Sequence, residues 1–255
     1  MKRVKEENYP DFLELAGLNT CNTVYPMAIA EGVQRGEIYT DDTEEHQYAL
    51  FWHESGFAYI SGYPKPDDLD AIYALMKNEG GNNPRRFVLE TIDEPVAGYF
   101  QEKEDIERHP RYGFRLRRSL TEEKIPEGYE LREIDEELLS RIEGRIVPLS
   151  FWSSSEEFLT KGKGYCLTKN DEVAAVAFSA AVSSRQIDIG IETKESHRRK
   201  GLAVIVAKKM AEYVLSIGKE PVWDCDAANA GSRATAERAG FEVVLQYAYY
   251  KAKDV

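Results

Sequence analysis

The chain has 255 residues, enough for one large domain or two small ones, and 42% hydrophobic with 31% charged residues is an ordinary globular balance. Its formal net charge of -12 argues against binding to nucleic-acid phosphates, and apolar runs such as Val173–Phe178 fall far short of the roughly 20 residues that cross a bilayer. Three widely spaced cysteines, Cys21, Cys166 and Cys225, give neither a disulfide framework nor a zinc pattern, and the basic N-terminus runs into acids rather than an apolar segment; a cytoplasmic protein is expected.

In the first half, Tyr48–Trp52 and Phe57–Ser61 flank His53-Glu54-Ser55-Gly56 and predict a hairpin. Pro66-Asp67-Asp68 opens a helix carrying Leu69, Ile72, Tyr73 and Met76 at helical spacing, stopped by Gly80-Gly81, and Arg86–Thr91 predicts another strand. Two polar, charged stretches follow, Gln101–Pro110 and Thr121–Gly128. A new strand-then-helix pattern starts after the second, which places a boundary between an α/β domain over 1–125 and a second domain over 126–255.

In the second half, Tyr129–Ile134 predicts a strand, and Asp135 starts a helix with Leu138, Leu139 and Ile142 on one face. Gly164–Thr168 and Glu172–Ala180 pair around Lys169-Asn170-Asp171. Gln186–Thr193 alternates cleanly, with Ile187, Ile189 and Ile191 on one face and Asp188, Gly190 and Glu192 on the other. A helix follows from about Gly201 to Ile217, then a short strand at Pro221–Asp226, a short helix at Gly231–Ala239 and the last strands over Phe241–Tyr250.

The local chemistry concentrates in His197-Arg198-Arg199-Lys200-Gly201-Leu202-Ala203. A strand ends, basic residues follow, a glycine permits close backbone approach and a helix begins. Free N–H groups of the first turn and the helix dipole make such a junction an anion site suited to a pyrophosphate. A solvated basic turn is the plainer alternative.

Arg198-x-x-Gly201-x-Ala203 resembles the acyl-CoA pyrophosphate loop of the GNAT N-acetyltransferase superfamily, and Asn229-x-x-Ser232 with Gly240-Phe241 resembles its second cofactor-contacting segment. Ile189–Thr193, the loop, and Trp223–Asn229 together look like the zwittermicin-resistance-like branch, which carries an extra N-terminal region. The resemblance implies an α/β fold with a mixed sheet, in which Gln186–Thr193 splays from Pro221–Asp226. The smaller N-terminal α/β domain is compatible with a degenerate copy of the same fold that has lost the loop. It further implies that the backbone of Ile191 and Thr193 meets pantetheine, that Arg198, Arg199, Lys200, Gly201, Leu202 and Ala203 hold the pyrophosphate, and that Asn229 and Ser232 contact the cofactor arm.

The reaction implied is direct attack of a small-molecule primary amine on acetyl-CoA, with no metal. An alkylammonium with pKa near 10.4 is almost fully protonated at neutral pH, so a base is useful. Glu192 and Asp188 are the candidates; Glu192 is nearer the loop, although alternating acids also suit a solvated strand face. Ala236 stands where many of these enzymes carry a tyrosine acid, leaving Tyr247, Tyr249 or Tyr250 as substitutes or as packing. Asp224, Asp226 and Cys225 read more simply as strand-end residues than as ligands or nucleophile. Tyr25, Trp52, Glu54, Tyr59 and Tyr63 offer aromatic and acidic walls for a cationic acceptor, or else cover a sheet face. A non-catalytic acyl-CoA-binding or interaction module is the alternative, and the oligomeric state is open between monomer and homodimer.

Overall fold

The structure, a computed structural model, describes residues 1–43, 45–79, 81 and 85–253. They fall into two compact units, Met1–Arg111 with Leu245–Val255, and Tyr112–Val244.

The first unit holds β1 (Lys2–Arg3), α1 (Leu13–Gly17), α2 (Val24–Ala30), β2 (Gly36–Thr40), β3 (Tyr48–His53), β4 (Phe57–Gly62), α3 (Pro66–Met76), β5 (Val88–Thr91), α4 (Glu94–Gln101) and the start of β6 (Ile106–Leu116). Strands β1 to β4 are antiparallel in chain order, β5 runs parallel to β4, and a C-terminal strand lies beside β5 with Ala248 opposite Thr91. All six residues of β3 are buried, because helices cover both faces. Leu50 and Trp52 meet Leu69 and Ile72 of α3 and Phe100 of α4; Ala49 and Phe51 meet Ala16 of α1 and Ile29 of α2.

The sequence missed α1, α2, β2 and α4, and it took Gln101–Pro110 for a polar connection. The second half of that stretch is strand, with its charges satisfied side by side: Glu107 pairs with His109 at 3.0 Å and with Lys251 at 3.2 Å. Of the predicted stop of α3 at Gly80-Gly81, Gly80 lies outside the described residues; the helix ends at Met76.

The second unit contains β7 (Glu130–Glu133), α5 (Glu136–Leu139), α6 (Ser155–Lys161), β8 (Gly164–Lys169), β9 (Glu172–Val182), β10 (Gln186–Thr193), α7 (Leu202–Ser216), β11 (Glu220–Asp226), α8 (Ala230–Arg238) and the start of β12 (Phe241–Ala252). Its strand order is β7-β8-β9-β10-β11-β6, the last being the stretch of β6 from Tyr112. Asp135 caps α5 by accepting from Leu138 N at 2.8 Å, and Asn170 and Asp171 turn the β8–β9 hairpin with φ of 50° and 62°. Val206, Met210 and Val214 of α7 are fully buried. Trp152 is a core anchor, 2% exposed, its indole donating to the Ser179 carbonyl at 2.8 Å.

The two halves of the sequence repeat one order of elements: a strand, two short helices, three antiparallel strands, a helix, a strand parallel to the third, a helix and a long final strand. The final strands are exchanged. From Tyr112, β6 counts with the second unit, and from Leu245, β12 counts with the first. A single cut at 125/126 therefore does not follow the compact units. Local pattern could not reveal this, because strand partners lie more than a hundred residues apart.

Candidate functional site

Strands β10 and β11 pair in parallel at Gln186–Glu220, Ile187–Pro221 and Asp188–Val222, and no further paired residues follow among those described. On its other side β10 stays paired with β9 as far as Thr193 opposite Ala175. From Ile189 onward, one edge of β10 thus faces a fork. Backbone groups along such an edge can bond an extended arm that carries amides, as pantetheine does. Of the two positions expected to do so, Thr193 is already engaged: its amide donates to Glu192 Oε1 at 3.2 Å and its carbonyl accepts from Arg198 Nε at 3.1 Å. Ile191 lies mid-fork, half-buried.

Beyond the fork, a short turn at Glu195–His197 leads through Arg198 to Arg199 and Gly201, both left-handed with φ of 62° and 78°. Gly201 is the N-cap of the 15-residue α7, and no side chain caps that end. First-turn N–H groups there lack side-chain partners, and a Cβ on Gly201 would meet nothing closer than Arg238 Nη2 at 3.8 Å. Arg198, Arg199 and Lys200 are exposed around this opening, whereas Leu202 is buried and Ala203 half-buried. Uncapped donors, three cations and open space above a left-handed glycine fit a pyrophosphate.

The loop is buttressed from below, a feature with no sequence signal. His197 is 8% exposed, its Nδ1 2.8 Å from the Tyr129 hydroxyl and its Nε2 2.8 Å from Glu172 Oε2. Hydrogen bonds from Lys194 and then His197 hold the Glu172 carboxyl below its usual range. Lys200 Nζ reaches the Ser196 carbonyl at 3.1 Å and Tyr129 at 3.3 Å.

The two carboxylates of β10 differ. Asp188 is 6% exposed and sits at the last paired position before the fork. Between them, Gly190 is covered by the Phe178 ring, so closely that a Cβ would fall 2.5 Å from it. Glu192 is half-buried; Oε2 accepts from the amides of Arg145 and Ile146, both at 3.1 Å, and Arg198 Nη2 lies 3.8 Å from Oε1.

Asn229 and Ser232 are occupied structurally. Asn229 Oδ1 caps α8 by accepting from Ser232 N at 3.0 Å, and the Ser232 hydroxyl accepts from Trp223 Nε1 at 3.1 Å. Asp226 Oδ1 accepts from Ala228 N at 2.7 Å, closing the turn into α8, and Cys225 is buried. Among the described residues no three His, Cys, Asp or Glu side chains gather as metal ligands. Ala236 is fully buried. Tyr247, Tyr249 and Tyr250 belong to the first unit, where Tyr247 donates to Glu90 at 3.1 Å, Tyr249 stacks on His109 and Tyr250 bonds Gln101.

Among the described residues, the first unit offers no equivalent anion site. Pro66 begins α3, and Asp68 turns back to accept from Lys65 N at 3.0 Å. Tyr25, Trp52 and Tyr59 are core residues, at most 3% exposed, so they form no acceptor wall; Glu54 is half-buried and Tyr63 is 83% exposed.

Residues 16–250 match the family model described as GNAT acetyltransferase, a span running through both units. The chain is 26% identical over 221 residues to an uncharacterized N-acetyltransferase of Bacillus subtilis, YdfB, covering 84% of this chain and 85% of that one. Its fold is similar to that of a GCN5-related N-acetyltransferase-like protein from Streptococcus suis (TM-score 0.75, 23% identity, 97% and 99% of the two chains). It is also similar to that of a tandem GNAT protein from the clavulanic acid biosynthesis pathway (TM-score 0.66, 13% identity, 97% and 96%). With the fork, the uncapped helix and the glycine loop in their expected order, the chain belongs to the GNAT acetyltransferase family and is an acetyltransferase.

Proposed function

We propose that the protein uses acetyl-CoA to acetylate a primary amine of a small molecule, in the cytoplasm and without a metal. The observation that carries this reading is the β10–β11 fork leading into the uncapped N-terminus of α7 at Gly201. When bound, acetyl-CoA supplies an acyl thioester open to direct attack by a neutral amine. The first-turn amides of α7, with Arg198, Arg199 and Lys200, hold the diphosphate, and the unpaired edge of β10 around Ile191 takes the amide-bearing arm. A carboxylate of β10 accepts the amine proton: Glu192 at the open side of the fork, directly or through water, with Asp188 behind it. The leaving thiolate, with a thiol pKa near 8.5, departs close to neutral pH without the tyrosine acid that Ala236 replaces.

The segments Ile189–Thr193, Arg198–Ala203 and Trp223–Asn229 support the zwittermicin-resistance-like branch. The N-terminal half, with its repeated element order and closed α3 terminus, is a copy of the fold that does not hold the cofactor. The test is calorimetry with acetyl-CoA together with release of CoA thiol across a panel of amines. Binding without amine-dependent thiol release, over aliphatic, aromatic and amino-sugar amines, overturns the small-amine reading.

A further inference from the structure

Five side chains run in an unbroken line beneath the cofactor loop, alternating between the loop and the sheet. Lys194, His197 and Lys200, spaced three residues apart, come from the loop side. Glu172, which starts β9, and Tyr129, just before β7, come from the sheet. Lys194 Nζ is 2.6 Å from Glu172 Oε1, and His197 Nε2 is 2.8 Å from Glu172 Oε2. His197 Nδ1 is in turn 2.8 Å from the Tyr129 hydroxyl, which accepts from Lys200 Nζ at 3.3 Å. Two outer charges touch this line: Lys169 Nζ lies 4.9 Å from the centre of the Tyr129 ring, and Glu143 is 3.6 Å from Lys194.

Of residues 195–200, His197 is buried and the other five are exposed. The segment before α7 therefore has one buried anchor in the body of the unit. Both ring nitrogens of that anchor are engaged, so the imidazole cannot rotate without losing a bond. Two residues further on, Arg199 holds a left-handed backbone with φ of 62°, which a non-glycine residue keeps only where its surroundings fix it. We propose that His197 is a positioning residue for acetyl-CoA: held between Tyr129 and Glu172, it sets the backbone of Arg198–Gly201 in the conformation that receives the diphosphate, without touching the cofactor itself. The inference rests on the cofactor-loop reading of the proposed function. His197 acts on affinity through backbone geometry, and Tyr129 and Glu172 act through His197. A buried histidine that served folding alone would leave the affinity of the folded protein unchanged.

Calorimetric titration of the full chain with acetyl-CoA, beside thermal unfolding of each variant, decides it. Tyr129→Phe keeps the half-buried ring and removes its hydroxyl; Glu172→Gln keeps an acceptor and removes the charge. Each is expected to raise the acetyl-CoA Kd about 3–10-fold, the scale of one hydrogen bond. The double variant is expected to weaken binding by less than the product of the two, because both act through one imidazole. His197→Leu removes both bonds and is expected to raise the Kd about 10–50-fold. His197→Gln, whose amide keeps a donor for Glu172, recovers part of that loss. Native Kd values in folded Tyr129→Phe and Glu172→Gln overturn the proposal, whatever their melting temperatures, and leave the loop reading standing. Effects that multiply in the double variant also overturn it, since Tyr129 then acts through Lys200 and Glu172 through Lys194. If His197→Leu fails to fold, Tyr129→Phe, Glu172→Gln and their combination decide alone. Native protein that does not bind acetyl-CoA overturns the loop reading and this inference together.

Discussion

Oε2 of Glu192 accepts the amide proton of Ile146 at 3.1 Å, joining the strand that leads into the cofactor loop to a segment 46 residues earlier. The same oxygen takes the Arg145 amide, so one carboxylate holds both residues 145 and 146. Glu192→Gln is expected to lower kcat by about 10²–10³-fold with the acetyl-CoA Kd nearly unchanged. Losing charge-assisted bonds also costs about 1–2 kcal/mol of stability. Turnover within a few-fold of native, measured on the folded variant, moves the proton to Asp188 or to solvent.

Gly201→Glu puts a side chain and a negative charge where the pyrophosphate is expected, on a backbone with φ of 78°. Acetyl-CoA binding by calorimetry is expected to disappear while far-UV circular dichroism stays native. Native affinity in a folded variant removes the pyrophosphate from this loop.

Ala236→Tyr is expected to destabilise rather than restore an acid, because position 236 is fully buried. Overpacking a core costs about 1–3 kcal/mol, so the urea midpoint falls and kcat does not rise. A stable and faster variant contradicts this account.

The readable parts of the protein were those set by neighbours in sequence. β10 announced itself through its three alternating isoleucines, α7 through its apolar stripe, and the anion site through one glycine after three basic residues. The fork was readable only through resemblance, since both of its strands read as ordinary apolar runs. What could not be read depends on distant partners: Glu192 held by Arg145 and Ile146, and His197 held between Tyr129 and Glu172. Asn229 and Ser232 show the converse, a motif whose side chains are spent on capping α8 and fixing Trp223.

His53 gives a pH dependence to stability. It is fully buried, and burial first, then the nearby charge of Arg85, push its pKa down to about 3 from 6.5. Among the described residues Nε2 has no hydrogen-bond partner, and Nδ1 is 2.8 Å from Ser55 Oγ. Between these two pKa values the unfolded chain binds a proton that the folded chain refuses, so this contribution is complete above pH 6.5 and shrinks as the pH falls. By pH 5 about 2 kcal/mol is lost at 1.36 kcal/mol per unit. Urea midpoints at pH 7.5, 6.5 and 5.0 are expected to fall less steeply for His53→Gln than for the native protein; identical slopes contradict the assignment.

A fragment spanning 126–255 is expected to be insoluble or unfolded, because it lacks the stretch of β6 from Tyr112 and retains β12 residues that count with the other unit. A fragment ending at Val244 but starting at Tyr112 keeps the whole second unit and is expected to be the more soluble of the two. Cooperative thermal unfolding of each, or its absence, checks the comparison.

The exchanged strands also set an order of events during synthesis. The segment that lies beside β5, Ala248–Tyr250, is made about 160 residues after β5 itself, so the N-terminal half cannot finish its sheet as it leaves the ribosome. Until then the edge of β5, at Val88–Thr91, stays open to any passing strand, and a chain stalled before residue 245 carries that edge permanently. Quality control acting on incomplete chains therefore has a specific handle in this protein: the free edge of β5, hidden only once Tyr250 has been made.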